Sequence, residues 1–376
     1  MKESGRNDNM FMERTINAIG QGAFYTEQFC NGIKVVYDCG STTSLKLLQK
    51  AIDSRFEDDS KIDLVFISHF HSDHINGLPY LLQKCKVDKM VVPYLKQNEI
   101  IIHLFELIIY CLKNNINSEE EMLLARIIES AGDNRRDRIN IDGAPQIIPV
   151  VEEYSEQEIN IDDIPSKISS GCSIIINFYQ WRYVPYNYRQ SFYYPLLEGE
   201  IIKALGKMPS SYDEIKCIME DKRTKYKIIN VYKNVFGKKY LNESSMVIFS
   251  GARGEDYRIC KMRGMDIKMW RGLVKSGCLY TGDINISDGI RWGWLKKNYK
   301  SIWDSIQFMQ VPHHGSTKNF FKDIAKENFE FFLCAGKKNT YGHPDFGVIK
   351  EILFNGKELS IVSEDSKTEI TYYIMN

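Results

Sequence analysis

A short apolar run in this chain ends directly in a turn crowded with metal-capable side chains. Asp63-Leu64-Val65-Phe66-Ile67-Ser68 is almost wholly apolar and passes without a spacer into His69-Phe70-His71-Ser72-Asp73-His74. An apolar run of this length reads as a strand buried on both faces, which demands a sheet with layers above and below it. Ile75 to Lys84 then reads as a helix beginning just after the turn. The turn is therefore a strand-to-helix loop at a sheet edge, where a rigid scaffold can hold side chains for chemistry. Four metal-capable groups within residues 69–74 are hard to explain as packing.

The rest of the histidine census points the same way. Of seven histidines, two more form His313-His314 in Val311-Pro312-His313-His314-Gly315-Ser316, one closes Asn339-Thr340-Tyr341-Gly342-His343, and only His103 stands apart. Leu279-Tyr280-Thr281-Gly282-Asp283 adds a carboxylate after another apolar strand. Each motif alone has a bland reading: Gly-Asp is an ordinary turn, the His pair can open a helix capped by Ser316, and residues 339–344 can be a turn. Their joint occurrence, always after a strand, predicts a two-metal site, which needs imidazoles and carboxylates converging from several loops. His69 and His71 alternate along an extended turn and can face one ion, while Asp73 and His74 can serve a second. Asp283 offers the bridge, and His314 or His313 completes the second ion's shell. Asp38, after the strand-like Ile33 to Tyr37, either accepts the outer N–H of a ligand histidine or caps a turn.

Composition narrows the function classes. Forty-nine basic and forty-nine acidic residues cancel over 376 positions, so no global field draws the chain to nucleic acid or membrane. An anionic substrate must be held by local charge and by the ions. Nine scattered cysteines without C-x-x-C spacing argue for a reducing compartment. The polar start lacks a signal-peptide core, and no apolar run approaches the roughly 20 residues that span a bilayer. The expectation is a soluble, cytoplasmic protein.

Residues 1–12 read as a flexible leader and 13–376 as one domain. Strand patterns begin at Thr15 and recur at 22–25 and 33–37 as a meander, followed by a helix from Ser44 to Ile52 with Thr42 or Thr43 as N-cap. From about 97 to 240 the character changes. Ile100 to Asn114, Glu119 to Ala131 and the charged stretch Ser211 to Tyr232 read as helices, around an acidic irregular segment (152–163) and an aromatic run (177–194). This block predicts an insertion or cap over the site. The aromatic run either lines a pocket or packs in the core. Strands resume at 245–249, 279–281, 305–311 and 329–333, and the whole predicts a layered α/β sandwich. Basic residues are dense from Arg253 to Lys275 around Trp270, and again at Lys222, Arg223, Lys225 and Lys227. Such clusters either track a nucleic-acid backbone or are solvated faces.

The motifs together resemble the metallo-β-lactamase superfamily, whose signature is the His-x-His-x-Asp-His turn, and within it the nuclease-like domain of the competence protein ComEC and its free-standing relatives. The matching pieces are Gly20-Gln21-Gly22-Ala23, Tyr37-Asp38-Cys39-Gly40, His69 to His74 with Asn76-Gly77-Leu78, Asn242-Glu243-Ser244-Ser245, Thr281-Gly282-Asp283-Ile284, Pro312 to Ser316 and Asn339 to Pro344. The resemblance implies a four-layer αββα sandwich with a dinuclear centre at one edge. It implies His69, His71, Asp73, His74, Asp283 and His314 as ligands, His313 facing substrate, and His343 as donor or acid to the leaving group. Asn242, Ser244, Asn339 and Tyr341 would stand around the site. One departure is informative: many members supply a further histidine ligand before the bridging aspartate, and no histidine lies between His103 and His313. Asn242 to Ser245 falls about where it would be. The ion held by His69 and His71 would then be open, taking zinc or, alternatively, manganese.

The function implied is phosphodiester hydrolysis, of DNA or RNA, by a bridging hydroxide that Asp73 orients. An alternative keeps the ions and changes the bond, to a phosphocholine ester, cyclic nucleotide or lactone. A third reading makes the chain an effector or adaptor in a multi-protein system, such as a defence complex, docking a protein partner through the insertion.

Overall fold

A computed structural model describes residues 10–133, 144–188, 194–236, 245–253 and 256–375. Among them, two sheets stack face to face. The first has ten strands, ordered 266–269, 258–263, 370–375, 10–16, 22–29, 34–41, 61–66, 86–93, 146–154 and 168–170. The second has eight, ordered 359–362, 330–334, 306–310, 277–280, 245–252, 181–188, 173–176 and 158–160.

Three apolar layers show why the sequence folds this way. In the Lys61–Phe66 strand, Val65 faces a core shared with the helices Leu45–Arg55 and Leu78–Lys84, while Leu64 and Phe66 face the second sheet. Both faces are buried, as the unbroken apolar run requires. Between the sheets, Tyr25, Tyr37 and Phe66 meet Tyr183, Tyr280 and Phe308. Outside the second sheet, Phe249, Leu279 and Met309 pack with Trp292 and Leu295 of the Gly289–Asn298 helix and Ile352 of the Phe346–Phe354 helix. The order helix, sheet, sheet, helix is the four-layer αββα sandwich expected from the sequence. A buried polar knot crosses the middle layer: Glu27 accepts from Arg14 Nε (2.7 Å), Tyr183 Oη (2.7 Å) and Tyr280 Oη (2.9 Å).

Several local expectations shift. The first strand starts at Met10 and pairs with Ile370–Met375, inside the stretch read as a leader; residues 1–9 lie outside the described residues. Ser44, not Thr42 or Thr43, caps the first helix by accepting from Leu47 N, because Thr43 Oγ1 is engaged by Gln21 N. The stretch 97–240 divides. Its strands belong to the two sheets, whereas the helices Gln97–Asn114, Ser118–Glu129, Tyr194–Leu205, Tyr212–Glu220 and Lys222–Phe236 pack together beside the motif loop. Of the aromatic run, Tyr179, Trp181 and Tyr183 are core residues between the sheets.

The basic cluster is largely neutralised in place. Lys261 pairs with Glu330, Lys268 with Glu358, Lys275 with Asp256 (2.6 Å) and Arg253 with Glu158 (2.6 Å). Trp270 packs against Phe308 and Tyr372. No helix among the described residues is long and apolar enough to cross a membrane.

Candidate metal centre

Parallel pairing decides where the site forms. The strands 34–41, 61–66 and 86–93 run parallel in one sheet, and 277–280, 306–310 and 330–334 in the other. Loops leaving the carboxyl ends of parallel strands gather at one edge, the usual place for ligands in such sheets. Those loops carry His69 to His74, Asp283, His313-His314 and Asn339 to His343.

Two backbone features hold the loops tightly. A Cβ on Gly40 would lie 2.4 Å from the Asp73 carbonyl carbon and the His74 nitrogen, so only glycine lets this strand press against the motif. His313 and His314 both adopt left-handed backbone (φ 49° and 53°). Non-glycine residues rarely do so, and such conformations concentrate where function demands a set geometry.

The hydrogen bonds fix every ring nitrogen. Asp38, wholly buried, accepts from Ser68 N and Ser68 Oγ (both 2.7 Å) and from His74 Nδ1 (2.7 Å). Because the only Ser68 hydroxyl proton goes to Asp38, Ser68 Oγ accepts from His69 Nδ1 (3.0 Å). His314 Nδ1 donates to Cys334 O (2.8 Å). Asn319 Nδ2 donates to Asp283 O (3.1 Å), so its Oδ1 accepts from His313 Nδ1 (2.9 Å). All four imidazoles thus engage Nδ1 with an outer partner and turn Nε2 inward, where a cation or, in its absence, a proton can sit.

The inward atoms converge. His69 Nε2 lies 3.6 Å from Asp283 Oδ2, His74 Nε2 3.4 Å from Asp283 Oδ1, His314 Nε2 3.4 Å from Asp73 Oδ2, and His313 Nε2 3.6 Å from Asp283 Oδ2. The buried Nε2 atoms of His69, His74 and His314 make no hydrogen bond. Donors on one tetrahedral ion, each at about 2.0–2.1 Å from it, stand about 3.3 Å apart. These separations fit shared cations better than direct hydrogen bonds. Among the described residues two sets of donors lie within 4.8 Å of one another: His69, His74 and Asp283, and Asp73, His74 and His314. The residues fit divalent metal ions.

Electrostatics agree. Burial drives the His69 imidazole well below its ordinary pKa, keeping its lone pair available. Burial opposes ionisation of Asp73 and Asp283, yet surrounding imidazoles hold both carboxyls below the usual range, so both are anions. At His74 the carboxylates of Asp38 and Asp283 outweigh burial and raise the pKa well above the usual value. The space between these carboxylates favours positive charge. His343, stacked beside Tyr341, is pushed down to about 4 by burial and by its neighbours His313 and His314. At neutral pH it offers one N–H and no extra proton.

His71 sits apart from both donor sets. Its Nε2 lies 3.8 Å from Glu106 Oε2, and His103 Nδ1 donates to that same oxygen (3.0 Å). Burial raises the Glu106 carboxyl, but His103 and His71 hold it below the usual range. Glu106 and His103 were not singled out as site residues from the sequence. The only signal was their i, i+3 spacing on one helix, which is commonplace. Asn339 staples the last loop: its Oδ1 accepts from Tyr341 N (3.1 Å) and His343 N (3.0 Å), and its Nδ2 donates to Gly336 O (2.7 Å). Tyr341 is exposed at the rim. Asn242 and Ser244 lie outside the described residues; next to them Ser245 Oγ accepts from Asp283 N (3.3 Å).

Residues 31–99 match the family model of the Metallo-beta-lactamase superfamily. The chain is similar to Ribonuclease Z of Ignicoccus hospitalis, 42% identical over 52 residues, or 14% of this chain and 16% of that protein. It is 47% identical over 47 residues to Ribonuclease Z of Enterococcus faecalis (12% and 13%) and 40% identical over 58 residues to Ribonuclease BN of Escherichia coli (15% and 17%). The match thus spans less than a fifth of each relative's length. The long-form RNase Z structure from yeast aligns with 86% of this chain and 36% of its own, with 11% identity and a TM-score of 0.35.

Proposed function

We propose that this metallo-β-lactamase-fold chain is a metallohydrolase that cleaves phosphodiester bonds, with the ComEC-like nucleases as its branch of the superfamily. The observation that carries the reading is the set of inward Nε2 atoms converging on Asp73 and Asp283. Nuclease names among its relatives, Ribonuclease Z and Ribonuclease BN, support the substrate class over the short stretch they share.

His69, His74 and Asp283 would hold one ion and Asp73, His74 and His314 the other, with Asp283 between them, while His71 faces Glu106 outside both sets. Two divalent cations, zinc or alternatively manganese, supply a nucleophile at neutral pH and neutralise charge on the phosphoryl oxygens. The protein supplies the rest. Asp38 and Ser68 fix the His69 and His74 rings, and Cys334 O fixes His314. Asp73, anionic and directed at the site, orients the attacking oxygen. His313, held by Asn319, stands beside the phosphoryl group. His343, neutral at pH 7, donates a hydrogen bond to the departing oxygen and does not act as its proton source.

The test is phosphodiester cleavage by metal-loaded protein, with metal content measured in parallel. Cleavage of single-stranded DNA or RNA with two ions bound is expected. Hydrolysis of a lactone with no phosphodiester cleaved, whether of a nucleotide or of a phosphocholine ester, would overturn the reading.

A further inference from the structure

The helices of the 97–236 region wall the metal centre into a pocket of about 510 Å³. One side is the motif loop, with Phe70, His71 and Asp73; another carries His313 and His343. The helices close the third side with Leu107 and Ile109 from Gln97–Asn114, Leu124 from Ser118–Glu129 and Tyr232 from Lys222–Phe236. Tyr232 Oη is occupied elsewhere, donating to Ile102 O (3.0 Å), while Tyr110 Oη accepts from Asn76 Nδ2 (2.9 Å). Glu106 on this side is turned to His71 and His103, so what is left for a ligand is mostly hydrocarbon and ring surface, with the Tyr110 O–H. Lys113 and Lys233 stand at its margin, exposed, and pair with no carboxylate among the described residues.

We propose, resting on the phosphodiesterase reading, that this pocket is a subsite for one terminal nucleotide, so the enzyme works from the free end of an unpaired strand. Three observations carry the inference. The volume lies within the roughly 300–1,000 Å³ of pockets for drug-sized ligands, the size of a nucleotide, whereas grooves that track a strand engage about 4–16 nucleotides. The lining is apolar on the helix side and metal-binding on the loop side, matching a flat base joined to a phosphodiester. The two lysines at the margin suit the phosphate of the next residue. The other basic cluster, from Arg253 to Lys275, is largely neutralised by its own ion pairs, so it offers little track for a long strand. In the reaction, water adds to phosphorus, the P–O bond to the remaining strand breaks, and a mononucleotide and a strand one residue shorter leave.

The experiment compares one unstructured single strand, as DNA and as RNA, in linear and in ligated circular form, with metal-loaded full-length protein. The linear form is expected to shorten stepwise while the circle stays intact for at least 100-fold longer. Equal cutting of circle and line overturns the pocket assignment and leaves the phosphodiesterase reading standing. No cutting of either strand, nor of a dinucleotide, overturns both. Leu124→Trp, which fills the helix side without touching the ligands, should slow shortening at least tenfold with metal content and circular dichroism unchanged; an unchanged rate also overturns the assignment. Lys113→Glu with Lys233→Glu should raise KM more than it lowers kcat.

Discussion

The two walls of the site are built by different physics. On the loop wall, each functional side chain is pinned by a partner close at hand and by backbone that has little freedom. Asp38 locks Ser68 and His74 at 2.7 Å, Gly40 lets the strand touch the motif, and His313 and His314 are held in left-handed backbone. On the helix wall, the elements are amphipathic helices placed by apolar packing, and one half-buried carboxylate, Glu106, reaches the loops. A wall of pinned ligands sets geometry to fractions of an ångström. A wall of packed helices sets shape and volume. The loop wall should therefore govern metal binding and the chemical step, and the helix wall which substrate enters.

Removing the Asp283 carboxylate attacks the loop wall at its centre. Asp283 faces His69, His74 and His313 at 3.4–3.6 Å. Asp283→Ala should lower activity well beyond the 10–100-fold typical of losing a group that merely orients a ligand, and lower the bound metal measured by plasma mass spectrometry. Chelation of wild type should lower Tm, because ions bound only to the folded state add about 2.7 kcal/mol at a hundredfold excess over Kd. Chelated Asp283→Ala should show little further drop. A variant that keeps two ions and full activity would remove Asp283 from the centre.

Asp38→Asn comes next and isolates one charge. Asparagine tolerates the left-handed backbone at this position (φ 55°), so the turn survives while the acceptor for His74 Nδ1 weakens. A loss of about 10–100-fold in metal affinity or rate is expected, by titration with zinc and by kinetics. Glu106→Gln sharpens the comparison from the helix wall. Its carboxylate lies 3.8 Å from His71 and bonds His103, yet stands outside both donor sets. Its effect on metal affinity should be smaller than that of Asp38→Asn, about tenfold or less. A larger effect would make the helix wall part of the metal centre.

The same contrast explains what the sequence disclosed. Candidate ligands and substrate-facing groups sit on short loops after strands, so the chemistry compresses into local motifs: residues 69–74, Asp283, 313–314 and 343 can be named as candidates from the sequence. The apolar run 63–67 announced a strand buried on both faces, and the layered sandwich followed from it. What depended on distant partners was not legible. The first strand's start at Met10 is set by pairing with Met375 at the far end of the chain. Glu106 looks like any surface helix glutamate until packing brings it to His71. The mixed nature of 97–240 was hidden because Trp181–Tyr188 reaches the later strands of the second sheet through Ser245–Ala252, which follows the helices. Thr43 lost the N-cap to Ser44 because Gln21, two strands away, claims its hydroxyl.

The basic cluster from 253 to 275 gives the smallest and most discriminating effect. Read locally it is either a track for phosphates or a solvated face; in the fold Lys261, Lys268 and Lys275 meet Glu330, Glu358 and Asp256. Lys268 pairs with Glu358, also lies 4.6 Å from the Trp270 ring, and is about half exposed. An exposed pair of this kind contributes about 0–1 kcal/mol, so Lys268→Ala should lower stability by no more than that in urea unfolding. Because the residue sits on the Asp266–Met269 edge strand, at the end of the first sheet remote from the 61–66 and 86–93 strands, cleavage rates should stay within about twofold. The salt dependence of cleavage should not change either, since a lysine that contacts no phosphate releases no counterion from the substrate. If the salt slope falls by about one, Lys268 does contact a phosphate, and substrate binding extends across the sheet edge well beyond the two walls of the site.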